Sequence, residues 1–315
     1  MLKMKVILDV DPGDDDAQAL MFILNNPAIE IIGITCVRGN VELDKVCVNI
    51  LRILKVCGRL DIPVYRGADQ FLMGGTTDAA GFHGNDGLGD VDWSDEVDME
   101  LIQPEHAVNA LTRMARKHSG DVSLITLGPL TNIALAIRMD SSFGEQFKAV
   151  YMMGGNFEGK GNTIQAAEFN FYVDPEAADI VLLNMSCKIY IVPLETCVRS
   201  ILPWDFYEKW TNIATPKGTF NKKISRNSAN RMLAEVTLRT PGYRSCDLFA
   251  MIAFIHSDVV LESAEASASI ELKGELTRGQ MVVDWDNRWS SRLNVVIYQT
   301  LDVEKIKHHM MNMFN

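Results

Sequence analysis

The chain has 315 residues, 47% of them hydrophobic, and a formal net charge of −11. That length and apolar content are enough to bury a large core, while the acidic balance disfavours nucleic acid and anionic membrane, which both reward clustered Lys and Arg. A neutral or cationic small molecule is the better partner.

Val6 to Val10 reads as a buried strand and Ala17 to Asn25 as the helix after it. Between and around them crowd Asp9, Asp11, Asp14, Asp15 and Asp16. At an effective dielectric near 20, two carboxylates about 4 Å apart repel by roughly 4 kcal/mol, so such a cluster calls for protons or a cation. Oxygen ligands with no Cys or His nearby point to calcium or magnesium rather than zinc. A simpler reading is that Asp14, Asp15 and Asp16 only start a helix, where carboxylates suit the exposed N–H groups. That leaves Asp9 and Asp11, at the strand end, without a reason.

Further along, Ile29 to Val37 is a predicted strand and Leu43 to Cys57 a predicted helix, with Val46, Ile50, Leu51 and Leu54 on its apolar face. Pro63 to Arg66 gives a third short strand. A long Gly- and Asp-rich segment follows, Thr76 to Met99, and loops of that length are usually functional or disordered. Glu105 to His118 is an amphipathic helix ended by Gly120, Val122 to Thr126 a strand, and Pro129 to Arg138 a helix entered through a tight Gly-Pro turn. Ala149 to Met153 and Ile189 to Val192 are strands separated by the helix Pro175 to Leu183. The locally basic stretch Arg199 to Arg244 reads as a solvated helical face or mobile lid. Helices are predicted near Phe220 to Leu238 and Cys246 to His256, strands near Ser269 to Leu272 and Leu293 to Ile297, and a closing helix from Val303.

This alternation predicts an α/β fold, a mainly parallel, Rossmann-like sheet flanked by helices on both faces. With no internal repeat or Pro/Ser-rich linker, residues 1–315 read as a single domain. No apolar run reaches the length of a membrane span, and the opening is too short for a signal-peptide core. The six cysteines lack a C-x-x-C pair and sit mostly in apolar stretches, as cytosolic thiols do. A cytoplasmic protein is expected.

Ligands of an open parallel sheet gather beyond the carboxyl ends of its strands. Polar residues stand there: Asp9 and Asp11, Gly39-Asn40, Gly128-Pro129 and Met153-Gly154-Gly155-Asn156. The segment from Asn162 through Glu168 and Asn170 to Asp174 adds hydrogen-bonding side chains spaced to grip several hydroxyls. Asp247 would ordinarily be a helix cap.

In order along residues 5 to about 300, the D-x-D-P-G-x-D-D-A opening, Gly39-Asn40, His83-Gly84, Leu127 to Asn132, Met153-Gly154-Gly155, Glu168-Phe169-Asn170 with Asp174-Pro175-Glu176-Ala177-Ala178, and Asp247 resemble the inosine–uridine-type nucleoside hydrolases. The resemblance implies hydrolysis of the N-glycosidic bond of ribonucleosides to free base and ribose, in nucleoside catabolism and purine or pyrimidine salvage, by a homodimer or homotetramer. It implies a calcium ion held by Asp11, both oxygens of Asp16, Asp247 and the backbone carbonyl of Leu127, with two ribose hydroxyls and a water completing a shell of about seven or eight oxygens. Asp11 would deprotonate the calcium-bound water, which then adds to the anomeric carbon. Asp15 and Asn170 would grip the 2′ and 3′ hydroxyls, Asn162 and Glu168 the 5′ hydroxyl, and Asn40 would support the ribose side. His83 would touch sugar or base, and Met153 would floor the ribose.

One position departs from the better-known members, which carry His or Trp just before the metal-binding aspartate. Here it is Cys246, as in a third subgroup, and a pocket-shaping role for it ranks above a catalytic one. With Glu168 at the 5′ end and a strongly acidic chain, a 5′-phosphate should be repelled. Two other readings compete. A haloacid dehalogenase-like phosphatase also opens with a strand and D-x-D, but needs Gly-Thr where this chain has Pro12-Gly13. A nucleoside or ribose sensor would bind without turnover, and would have no use for Asp11 as a base.

Overall fold

The computed structural model describes residues 3–94, 96–234, 242–289 and 292–314. Strand β1 (Met4–Val10) runs near the middle of a sheet. On one side of it lie β2 (Ile29–Cys36), β3 (Val64–Arg66) and β4 (Ile102–Gln103); on the other lie β5 (Val122–Thr126), β6 (Phe147–Met153) and β7 (Lys188–Val192). All of these pair in parallel. Past β7 the order continues through β10 (Val295–Leu301), still parallel, then β8 (Val260–Ile270) and β9 (Met281–Asp284), which pair antiparallel.

The two-residue period of β1 divides the interior. Val6, Leu8 and Val10 face one apolar cluster and Ile7 the other. Helices α1 (Asp14–Leu24) and α2 (Leu43–Cys57) supply the first cluster. After α3 (Ala80–His83), helices α4 (Ala107–Lys117) and α5 (Thr131–Met139) supply the second; then come α6 (Phe169–Val173) and α7 (Pro175–Asn184), the latter also in the second cluster. Helix α2 stops where Gly58 turns left-handed at φ 66°, and α7 starts where Asp174 accepts the Ala177 N–H at 3.2 Å ahead of Pro175.

The chain leaves β1 toward β2, β3 and β4, then returns to place β5 on the other side of β1. The strand order therefore reverses at β1, and a crevice opens there beyond the carboxyl ends of β1 and β5.

The last third departs most from the sequence reading. After α8 (Leu194–Arg199) comes α9 (Trp204–Thr211), which apolar spacing did not single out. The helix expected over Phe220 to Leu238 is two, α10 (Pro216–Ile224) and α11 (Arg226–Ala234), and its end, 235–238, lies outside the described residues. They part at Ser225, whose hydroxyl meets the Tyr207 hydroxyl at 3.0 Å and whose carbonyl accepts the Ser228 hydroxyl at 3.1 Å, side-chain bonds that compete with a continuous helix. Helix α12 (Cys246–Ile255) follows as expected. The strand expected at Ser269 to Leu272 is only the end of β8, and β9 was not anticipated. The strand expected at Leu293 to Ile297 is β10, two residues later, and α13 (Val303–Asn312) closes the chain.

Among the described residues, no helix is long and apolar enough to cross a membrane. All six cysteines are free.

Candidate active site

Helix α1 packs along α12, so the amino-terminal turns of both helices meet at the crevice. Asp15 and Asp16 in the first turn of α1 and Asp247 in the first turn of α12 consequently bring carboxylate oxygens within 4.8 Å of one another. Asp11, just past β1, is completely buried beside them. Its Oδ2 accepts the Asn40 backbone N–H at 2.7 Å, and the Asn40 amide donates to the Asp11 carbonyl at 3.2 Å and to Asp16 Oδ2 at 3.1 Å. Asn40 thus ties the two aspartates together.

Two glycines make room for Asp11. A Cβ at Gly39 would lie 2.0 Å from its Oδ2, and one at Gly128 would lie 2.4 Å from its Oδ1. Both positions therefore have to lack a side chain for that carboxylate to sit between the ends of β2 and β5.

Asp9 does a different job from the one its place in the cluster suggests. Its Oδ1 accepts the Thr35 hydroxyl at 2.5 Å and the Asn132 amide at 2.8 Å, and Asn132 also donates to the Cys36 carbonyl at 3.0 Å. It anchors β1 to β2 and α5 below the site.

The electrostatics fit a cation. Burial, then the Asp16 charge, pushes Asp11 well above the usual carboxylate range; burial, then Asp15 and Asp16, does the same to Asp247. Burial and Asp15 lift Asp16 to about 7, and burial lifts Asp9 to about 7 against its two donors. Each shift has the sign that a nearby divalent cation reverses. Among the described residues, Asp11 Oδ1 and Asp16 Oδ1 have no hydrogen-bond partner although fully buried. Buried carboxylate oxygens left without a hydrogen-bond partner are what a hard, oxygen-seeking cation would satisfy. Asp16 Oδ2, by contrast, is taken by the Gly13 N–H at 3.0 Å as well as by Asn40, so helix capping accounts for that oxygen only.

Above the aspartates opens a cavity of about 190 Å³ lined by Asp15, Asn40, His83, Leu127, Met153, Asn162, Glu168, Asn170, Cys246 and Asp247. Every substrate-contact residue singled out from the sequence is therefore on its wall. Glu168 caps α6, accepting the Asn170 N–H at 2.9 Å on Oε1 and the Gly155 and Phe171 N–H groups at 2.8 and 3.2 Å on Oε2; burial raises it to about 7 against these bonds. The Asn170 amide nitrogen donates to the carbonyls of Leu127 at 2.8 Å and Met153 at 3.2 Å, which leaves Oδ1 as its acceptor for a ligand. Asn162 is exposed at the rim, and Cys246 is half buried over the Cys197 thiol.

His83 is buried with Nδ1 against Asp14 and 3.9 Å from Asp15. Burial opposes its charge, but the Asp14 carboxylate more than offsets that and lifts the imidazole to about 9.

Sequence reasoning did not single out Phe82, Phe169, Leu194 or Arg244, which also line the cavity, nor Ser228, which hydrogen-bonds Asp14 from α11. Phe169 stood inside a recognised motif, and Arg244 ended the basic stretch. Ser228 carried no local signal. A larger hollow of about 710 Å³ lies at the β8–β9 edge beside Trp285 and Trp289 and contains none of these groups.

Known proteins resemble this chain along nearly its whole length. Residues 6–308 match the family model described as inosine-uridine preferring nucleoside hydrolase. The chain is 31% identical over 307 residues to the enzyme of that name from Crithidia fasciculata, covering 96% of this chain and 94% of the relative. It is 41% identical over 227 residues, 69% of this chain and 68% of the relative, to a pyrimidine-specific ribonucleoside hydrolase of Escherichia coli. Among solved structures, a plant nucleoside hydrolase superposes with a TM-score of 0.91 at 27% identity, covering 99% of this chain and 98% of that one. An inosine-guanosine nucleoside hydrolase superposes with a TM-score of 0.89 at 32% identity, covering 98% of each.

Proposed function

Because this chain belongs to the inosine-uridine preferring nucleoside hydrolase family and hydrolyses the N-glycosyl bond of ribonucleosides, we propose that it does so with Asp11 as the base and calcium as the cation. The observation that carries this reading is the meeting of the Asp15, Asp16 and Asp247 carboxylates, with buried Asp11 tied to Asp16 through Asn40, beneath a cavity walled by Asn40, Glu168 and Asn170. Asp11 Oδ1, Asp16 Oδ1, Asp247 and the Leu127 carbonyl would hold the ion. Calcium bound there would neutralise the carboxylates and supply Lewis-acid activation of water.

The remaining work falls to this chain's own groups. With Oδ2 fixed by Asn40, Asp11 Oδ1 has no hydrogen-bond partner, and its two lone pairs would serve the ion and the proton of the attacking water. Asp15 and Asn170 Oδ1 accept the 2′ and 3′ hydroxyl protons, and Glu168 with Asn162 holds the 5′ hydroxyl, so the anomeric carbon is presented toward Asp11. Buried carboxylates around the ring favour the positive charge of an oxocarbenium-like transition state. Met153 gives an apolar floor, and Cys246 shapes the wall. The free thiols suit a reducing cytoplasm, and we assign the whole chain to one domain acting as a homodimer or homotetramer.

Glu168 at the 5′ end sets the substrate class. Inosine and uridine should be cleaved with kcat/KM on the order of 100-fold above their 5′-monophosphates, because a phosphate would meet a buried acidic group. Comparable efficiency on the monophosphates in a ribose-release assay would overturn this assignment of Glu168.

A further inference from the structure

Asp14 occupies the open position of D-x-D-P-G-x-D-D-A, and its side chain is buried rather than spread over the end of α1. One of its oxygens meets His83 Nδ1, and the other accepts the Ser228 hydroxyl from α11. The imidazole is held on other sides too. A Cβ at Gly13 would lie 2.8 Å from Nδ1 and 2.9 Å from Cε1, so the ring rests directly on the Gly13 backbone, and Phe82 packs edge-on at 4.9 Å between ring centroids. With Nδ1 committed to Asp14, Nε2 is the ring nitrogen left for the cavity that His83 lines.

A purine or pyrimidine leaves poorly as an anion, so the bond to it breaks more easily when a proton arrives. Among the other cavity-lining groups, Asp15, Glu168 and Asp247 are assigned above to the sugar hydroxyls and the ion, a guanidinium is not deprotonated in proteins, and Cys246, whose backbone carbonyl accepts the Cys197 thiol at 3.9 Å, shapes the wall. His83 remains.

We propose that Asp14 is a positioning residue: it grips His83 by Nδ1, directing Nε2–H at the departing base, to which His83 passes a proton as the glycosidic C–N bond breaks. The inference rests on the nucleoside hydrolysis described above. The electron pair of the C–N bond leaves with the base, and the Nε2 proton joins it. The neutral imidazole keeps its Nδ1–H on Asp14. Water supplies hydroxide to the anomeric carbon and its second proton to Asp11, and solvent returns a proton to His83 as Asp11 releases one.

The test compares two leaving groups. p-Nitrophenyl β-D-ribofuranoside carries the same sugar but releases a stable phenolate that needs no proton. In Asp14→Asn, kcat on inosine and uridine should fall by about 100-fold with KM within roughly threefold, while kcat on the nitrophenyl riboside should fall by less than about fivefold. Ser228→Ala, which removes one support of Asp14, should show the same selectivity at about three- to tenfold, and carries the comparison if Asp14→Asn does not fold. Equal losses on both substrates, or no loss on either, would overturn the positioning role while leaving the hydrolase reading intact. Wild-type enzyme inactive on both substrates would overturn the hydrolase reading and this inference together.

Discussion

Asp11→Asn should lower ribonucleoside turnover by on the order of 10³- to 10⁴-fold without unfolding the protein. The expectation follows from how the carboxylate is held. Asn40 presents a backbone N–H to Oδ2 at 2.7 Å, and an amide placed there must turn its oxygen toward that donor. The amide NH₂ then falls where Oδ1 was, against Gly128, and offers a donor at the one atom that has to accept a proton. Size and packing are unchanged, so thermal unfolding should move little. Steady-state kinetics on inosine and uridine, with unfolding as the control, measures both. A loss of less than tenfold would remove Asp11 from the role of base.

Asp16→Asn should have the opposite effect on stability from the usual loss of a buried hydrogen-bonding group. Its Oδ2 accepts from Gly13 and Asn40, so the substituted amide keeps its oxygen there and turns NH₂ toward Asp15 and Asp247. A donor then replaces a carboxylate oxygen in a group of three, where each close pair repels by roughly 4 kcal/mol at an effective dielectric near 20. In chelator, the variant should melt a few degrees above wild type. Calcium, which should raise the wild-type melting temperature by binding only the folded state, should bind the variant at least about 100-fold more weakly and barely shift it. Differential scanning calorimetry with calcium and with EGTA reads both signs. A variant that melts lower in EGTA yet keeps full calcium stabilisation would show that Asp16 does not hold the ion.

Apart from the two-residue β4, the parallel half of the sheet was legible because its strands are short β-branched runs, such as Val6-Ile7-Leu8 and Val122 to Thr126, set between amphipathic helices. Strand β8 was not. Its sequence, VLESAEASASI, is rich in Ala, Glu and Ser, which have little strand preference, and it is a strand because β10 and β9 pair with it on either side. Helix α9 escaped notice for a related reason. Its Trp210 is fully buried, with the indole N–H bonded to the Met310 carbonyl at 3.1 Å, a contact with α13 from the far end of the chain.

Site residues followed the same division. Asp11 and Asp16 could be grouped because a carboxylate cluster announces its own electrostatic problem, Asp247 only through the family resemblance, and Glu168 and Asn170 because their spacing is local. What lay beyond reach were the supports that arrive from distant segments. Thr35 and Asn132 turn Asp9 into an anchor, and Ser228, 214 positions after Asp14, turns a first-turn aspartate into a clamp on His83. Gly39 and Gly128 could be read as turn residues. Only the structure places each against Asp11.

The central claim is that these buried carboxylates gather a cation and, with the cavity above them, split ribonucleosides. Its most direct test is to remove divalent ions from the purified protein, supply inosine and uridine, and quantify free ribose and free base as calcium is titrated in. The account expects ribose and base to appear in equal amounts, in step with calcium, and to stop when EGTA is added. Intact nucleoside at every calcium concentration, or undiminished release in EGTA with Asp11 and Asp16 both replaced by Asn, would contradict it.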